Sequence, residues 1–105
     1  MNNILMLVIV PLGNDDKVIK AAKEAGATEA TIMRARGADS SASEGLFSIK
    51  IEPEEEIILI AATKEVTDSV CSRIHDEFEK GGLRSGSIYV LPLQQEEDIA
   101  DKEQQ

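Results

Sequence analysis

The chain has 105 residues, 42% of them hydrophobic, which bounds it to one small domain with a core of its own. Its 20 acids against 11 bases give a net charge of −9, which excludes the basic face that phosphate-backbone binding needs and so excludes nucleic acid as a partner. One cysteine, Cys71, excludes an internal disulfide and a CxxC metal knuckle.

Only Phe47, Phe78 and Tyr89 are aromatic, so the core must be aliphatic. A domain this small buries only roughly two-thirds of its unfolded surface, and oligomerisation is a direct way to bury more. Residues 4–10, Ile-Leu-Met-Leu-Val-Ile-Val, form an apolar run with no cationic region before it and no small-residue cleavage site close behind. The run is too short to span a membrane, and a cytoplasmic protein is expected. It reads as a central strand buried on both faces.

Pro11 and Gly13 end that strand. Asn14 is placed to cap a helix, and Asp15 and Asp16 suit the positive end of its dipole. Val18, Ile19, Ala22 and Ala25 recur at helical spacing until Gly26 stops the helix. Residues 30–36 alternate weakly and lead into Gly37, a second strand. Residues 38–45 are small, polar and aperiodic, which predicts a mobile loop. Residues 46–51 alternate again as a short edge strand, broken at Glu52-Pro53.

Residues 57–62 are apolar throughout and form the third principal strand. Thr63 caps a second helix reaching about Lys80, with Val66, Val70, Ile74 and Phe78 as its buried stripe. Gly81-Gly82 closes it, and residues 86–91 make the last strand, ended by Pro92. Residues 94–105 carry five acids and one lysine without an apolar period, a tail of frayed helix or coil.

The resulting order, β-α-β-(loop)-β-α-β, is the split βαβ signature. It predicts an α+β, ferredoxin-like domain: a four-stranded antiparallel sheet with two helices on one face. Strands as apolar as 4–10 and 57–62 leave the other face in need of cover. Three sheets packed around an axis, a homotrimer, would supply it.

Gly26-Ala-Thr-Glu-Ala-Thr-Ile-Met-Arg-Ala-Arg-Gly37 resembles the pattern of the PII signal-transduction family. There a helix-ending glycine leads through a ligand-contacting threonine to a Lys/Arg-Gly pair that opens the long T-loop. Gly86-Ser-Ile-Tyr-Val-Leu-Pro92 is similar to the family's closing strand, and the first strand with its acidic helix start fits as well. The resemblance covers about residues 4–93 and implies a domain over 1–93, a T-loop region over 38–53 and an acidic tail over 94–105.

What the resemblance implies is a non-enzymatic regulator, a homotrimer holding an adenine nucleotide or another small effector between subunits. Thr31, Arg36 and Gly37 then lie around the base and the T-loop root. Gly86 and Ser87 fall in the phosphate-wrapping B-loop, and Val8 and Ala61 wall the base. Arg84 joins them because the loop 81–86 offers one guanidinium among unobstructed N–H groups, an anion nest. The partner implied is a membrane transporter or an enzyme, met through the T-loop.

The departures from the family pattern are specific. The phosphate-binding lysine before the third strand falls near Glu55, inside the Glu54–Glu56 run. The lysine after the B-loop glycine is Ser87, and two C-terminal arginines fall near Asp98 and Ala100. A site that has lost these charge-assisted bonds is expected to take fewer phosphates than a triphosphate.

Other features carry plainer readings. Cys71 and His75 stand at i and i+4, with only Glu79 nearby, and read as a half-buried thiol beside a surface histidine rather than a metal or catalytic pair. Ser40, Ser41 and Ser43 read as loop residues, and Glu54–Glu56 as a solvated turn. Arg34 and Arg36 share one side of their strand, able to meet a phosphate or a partner carboxylate. The alternative reading is a CutA-like trimer that binds divalent cations. An enzyme is the weakest, because no His-supported nucleophile, metal triad or paired carboxylates stand out.

Overall fold

The computed structural model describes residues 3–39 and 50–99. Its elements run β1 (Ile4–Pro11), α1 (Asp15–Glu24), β2 (Thr31–Asp39), β3 (Lys50–Ala62), α2 (Lys64–Glu79) and β4 (Ser87–Pro92). The four strands form one sheet in the order β2-β3-β1-β4, with every neighbouring pair antiparallel. Each βαβ unit is split by a strand of the other, which is the ferredoxin-like α+β arrangement.

Alternation along the strands sorts the sheet into two faces. Met6, Val8 and Val10 of β1 and Ile58 and Ile60 of β3 are fully or almost fully buried beneath the helices. Val18, Ala21 and Ala22 of α1, Val70 and Ile74 of α2, and Leu83 complete this core. The expected α2 stripe is present, with Val66 and Phe78 packed partly against it. Thr67 is also buried, and its Oγ1 has no hydrogen-bond partner among the described residues. No helix is long and apolar enough to cross a membrane among the described residues.

Among the described residues no helix covers the opposite face. Register places Leu5, Leu7 and Ile9 of β1 beside Ala61, Leu59 and Ile57 of β3. Tyr89 and Leu91 of β4 and Met33 of β2 extend the patch to both edges, and these three are 55%, 45% and 43% exposed. The face is apolar from edge to edge, well beyond scattered surface hydrophobes.

Both helices end in the same way. The amides of Gly26 and Ala27 donate to the carbonyls of Lys23 and Ala22, and those of Gly81 and Gly82 to the carbonyls of Phe78 and Glu77. This is the Schellman pattern, and its left-handed residue is glycine each time, with φ of 105° at Gly26 and 81° at Gly81. Thr63 caps α2, its Oγ1 accepting from the Val66 amide at 3.4 Å. Asn14 occupies the cap position of α1 but does not cap with its side chain: its Nδ2 donates instead to the Pro11 carbonyl at 3.0 Å.

The break expected at Glu52-Pro53 is absent. β3 runs through Pro53 as one 13-residue strand. Arg36 pairs with Glu54 and Ala38 with Ile51, so the register shifts across Gly37. A bulge is how a strand holds a proline that cannot donate to the ladder. Ala38 and Asp39, expected to open the loop, continue β2 and pair with Ile51 and Lys50. The rest of the expected loop, and residues 46–49 of the expected edge strand, lie outside the described residues. After β4 the Leu93 amide donates to the Asn3 carbonyl at 3.2 Å, and residues 93–99 have no regular structure.

Candidate functional site

The predicted site residues divide between the two ends of the sheet. Arg36 and Gly37 lie in the second half of β2, and Ser87 opens β4, with Arg84 and Gly86 just before it. All lie toward the end of the sheet where β1 finishes beside the first half of β3. Thr31 and Ala61 stand toward the other end, paired with Leu59 and Leu5 on the open face. β2 and β4 are opposite edges, so Arg36 and Ser87 are separated by three strand spacings, about 14 Å. One protomer therefore does not gather these residues into one pocket.

Val8 does not belong with them. It is 0% exposed and lies under the helices, on the opposite face from Ala61. A molecule on the open face meets Leu7 and Ile9 instead. The resemblance puts Val8 with Ala61, and the apolar run 4–10 reveals a strand but not which alternate set faces the helices.

Arg36 and Arg84 both stand at the loop end. Arg36 Nη2 meets Glu54 Oε1 at 3.1 Å, with the side chains 59% and 41% exposed, so the pair contributes little and leaves the guanidinium accessible. Arg84 is exposed. The loop before it is less free than expected: the amides of Gly81, Gly82 and Leu83 all serve the α2 C-cap, and Lys17 Nζ donates to the Gly82 carbonyl. Only the amides of Arg84, Ser85 and Gly86 fall outside that cap. Gly86 has a packing reason of its own, because a Cβ there would stand 2.8 Å from the Ile9 carbonyl oxygen and 3.0 Å from Phe78 Cζ.

The acidic run is a strand segment rather than a solvated turn. Glu54 holds Arg36, and Glu55 lies between Pro11 and Ala35 in the ladder. Glu56 is only 6% exposed, on the core side, and its Oε1 accepts from the Gly13 amide at 2.8 Å. The Leu12 amide donates to the Glu54 carbonyl at 3.2 Å. The start of β3 thus fixes the turn that leads into α1. Glu56→Ala is expected to destabilise the protein by about 1–3 kcal/mol by leaving the Gly13 amide unpaired, with Glu56→Gln losing much less. Urea midpoints at unchanged m check this, and equal losses in the two variants would refute it.

The Cys71 thiol is pushed up by its partial burial and then by the Asp68 carboxylate, which disfavours the reactive thiolate. His75 is exposed on the same helix. No three His, Cys, Asp or Glu side chains gather as metal ligands among the described residues.

Two depressions adjoin one another at the Thr31 end. The larger, about 600 Å³, lies between α1 and β2 and is walled by Ile19, Ala22, Lys23, Ala30 and Ile32. The smaller, about 190 Å³, reaches Asn3, Ala61, Thr63 and Val66. Both share Ala27 and Thr28. Neither was visible in the sequence, because α1 packs inward on α2 and β3 and leaves the edge strand β2 partly uncovered.

The family model described as nitrogen regulatory protein P-II matches residues 4–103. The chain belongs to the P-II family. No curated protein matches the chain at a significant level. Solved structures share the fold at low identity. The B. subtilis GlnK–ATP complex is 18% identical, covering 88% of this chain and 82% of that one, with a TM-score of 0.68. CPII from Thiomonas intermedia, a nitrogen regulatory PII-like protein bound to ADP, AMP and bicarbonate, is 17% identical over 94% of this chain and 98% of its own, with a TM-score of 0.67. A PII-like signalling protein from Thermus thermophilus is 20% identical, covering 89% and 88%, also at 0.67. The P-II match reaches ten residues beyond the segment over which the sequence motifs resemble the family, into the acidic tail.

Proposed function

We propose that this protein is a non-enzymatic P-II-type regulator that works in the cytoplasm as a homotrimer. The open sheet faces turn inward, and a small effector, an adenine nucleotide, binds between subunits. The T-loop region over 38–53 then docks on a partner, a membrane transporter or an enzyme. One observation carries the reading: the open face is apolar from edge to edge, while Arg36-Gly37 and Arg84–Ser87 sit on opposite edges of the sheet. Only a second copy can bring one edge to the other. The nucleotide-bound relatives, GlnK with ATP and CPII with ADP and AMP, support the ligand class.

The ligand carries fewer phosphates than a triphosphate. At the loop end Arg36 is shared with Glu54, Lys17 is held by the Gly82 carbonyl, and Glu55 stands in the same part of the ladder. Ser87, Asp98 and Ala100 hold places where the family pattern has cations. Each added negative charge then meets repulsion, more strongly where a cleft excludes water. Isothermal titration with AMP, ADP and ATP is expected to rank them in that order without magnesium. ATP improves only when magnesium bridges it to the acids. Tight magnesium-free ATP binding would contradict the phosphate argument, and no binding by any of the three would remove the adenine nucleotide. Arg84→Ala is expected to weaken AMP by about 1.5–3 kcal/mol, the worth of a charge-assisted hydrogen bond.

A further inference from the structure

The groove between α1 and β2 lies on the helix side of the sheet, away from the apolar open face. Ile32 forms part of its wall, pairs with the buried Ile58, and is still 45% exposed, because the helices pack over β1 and β3 and leave the edge strand uncovered. Ile19 lines it from α1, with Ala22, Ala27 and Ala30 making up most of the remaining wall. Three alanines beside two isoleucines leave a depression of about 600 Å³, inside the roughly 300–1,000 Å³ range of pockets that hold small molecules.

Two opposite charges share that wall. Lys23 and Glu29 both line the groove and both are exposed. They do not pair with each other: the ion pairs among the described residues are Arg36–Glu54 and Lys64–Asp68. Lys20 and Glu24 are exposed on α1 but take no part in the lining. The groove therefore offers one cation, one anion and the Thr28 side chain against an aliphatic surface.

That balance selects the charge of an occupant. An aliphatic acid pairs with Lys23 but is opposed by Glu29, and an aliphatic amine meets the reverse difficulty. An uncharged apolar molecule takes water from both charges and replaces it for neither. A small molecule that carries both charges and a branched aliphatic chain suits all of the walls.

We propose that the α1–β2 groove binds an aliphatic α-amino acid such as leucine. Its carboxylate meets Lys23, its ammonium meets Glu29, and its side chain lies against Ile19 and Ile32. Both rim charges stay in contact with water, so each pairing is weak, and a dissociation constant on the order of 1 mM is expected. The proposal rests on neither nucleotide binding nor the trimer.

Titrating methyl-labelled full-length protein with leucine up to about 20 mM tests it. Saturable shifts of the Ile19 and Ile32 methyl signals are expected. Leucinamide lacks the carboxylate and 4-methylpentanoate lacks the ammonium, so each should bind about fivefold more weakly. Lys23→Met should weaken leucine by a similar factor and leave leucinamide no weaker. Glu29→Gln should weaken leucine and leave 4-methylpentanoate no weaker. Both side chains are exposed, so unchanged melting temperatures check that the variants are folded. No saturable shift with leucine, shifts that spare Ile19 and Ile32, or equal binding by leucine and 4-methylpentanoate would overturn the site.

Discussion

Gly86→Ala is expected to lower the melting temperature by about 10–20 °C, measured at fixed protein concentration because any assembly shifts the apparent value. The cause is steric. A Cβ at this position would lie 2.8 Å from the Ile9 carbonyl oxygen, 3.0 Å from Phe78 Cζ and 3.2 Å from Val10 Cγ1. Ile9 is on β1, an inner strand paired on one side with Ile57 and on the other with Ser87. Its carbonyl cannot retreat without breaking one ladder or the other. Val10 is fully buried, and Phe78 packs against the core, so these neighbours have little room to yield. Overpacking of this kind costs about 1–3 kcal/mol and occasionally more. The entropy that alanine removes from the unfolded chain returns less than about 1 kcal/mol.

Gly13→Ala is the control. Its φ of 94° strains any side chain, but nothing lies within 4 Å, so the loss should be the smaller of the two. If Gly86→Ala instead leaves the melting temperature unchanged and abolishes AMP binding, the glycine serves a ligand and the packing account fails.

Gly86 also marks how far the sequence could be read. Its place at the start of the last strand was legible to within one residue, as were the glycines that end both helices and the threonine that caps α2. Each is a local signal, set by residues within one turn of it. The errors were of another kind. Pro53 looked like a strand end because a proline removes one ladder donor, yet the bulge opposite Gly37 absorbs it, and that depends on β2 pairing from 18 residues away in sequence. Glu56 looked like one of three solvated acids because a charge run carries no sign of which member turns inward. Its alternation with Ile58 and Ile60 was the available clue, and it becomes decisive only once the register with Val10 is known. The burial of Val8 on the helix side was hidden for the same reason, since a run apolar on both faces hides its orientation. The family was legible from short motifs, whereas the distribution of the predicted site residues over two sheet edges follows from strand order, which no single motif carries.

Leu59→Lys is expected to convert the protein from about three chain masses to one at micromolar concentration while leaving the protomer folded. Leu59 is on the open face, with Leu7 beside it on β1 and Thr31 on β2. It is half-buried in the single chain, so a lysine there can turn its ammonium to water while its stem covers the neighbouring apolar side chains. Between three packed faces that escape is closed. Three like charges would be brought together there, each losing several kcal/mol of solvation. Together these losses exceed what apolar contacts of this size return. Ile58→Lys, one position along, should behave differently. Ile58 is 0% exposed beneath the helices, so the charge enters the core of the protomer and the chain unfolds. Light scattering coupled to size exclusion, with circular dichroism on the same fractions, separates the two outcomes. A wild-type mass near one chain would remove the trimer. A Leu59→Lys protein that keeps three chain masses would show that the open face is not the surface that holds the copies together.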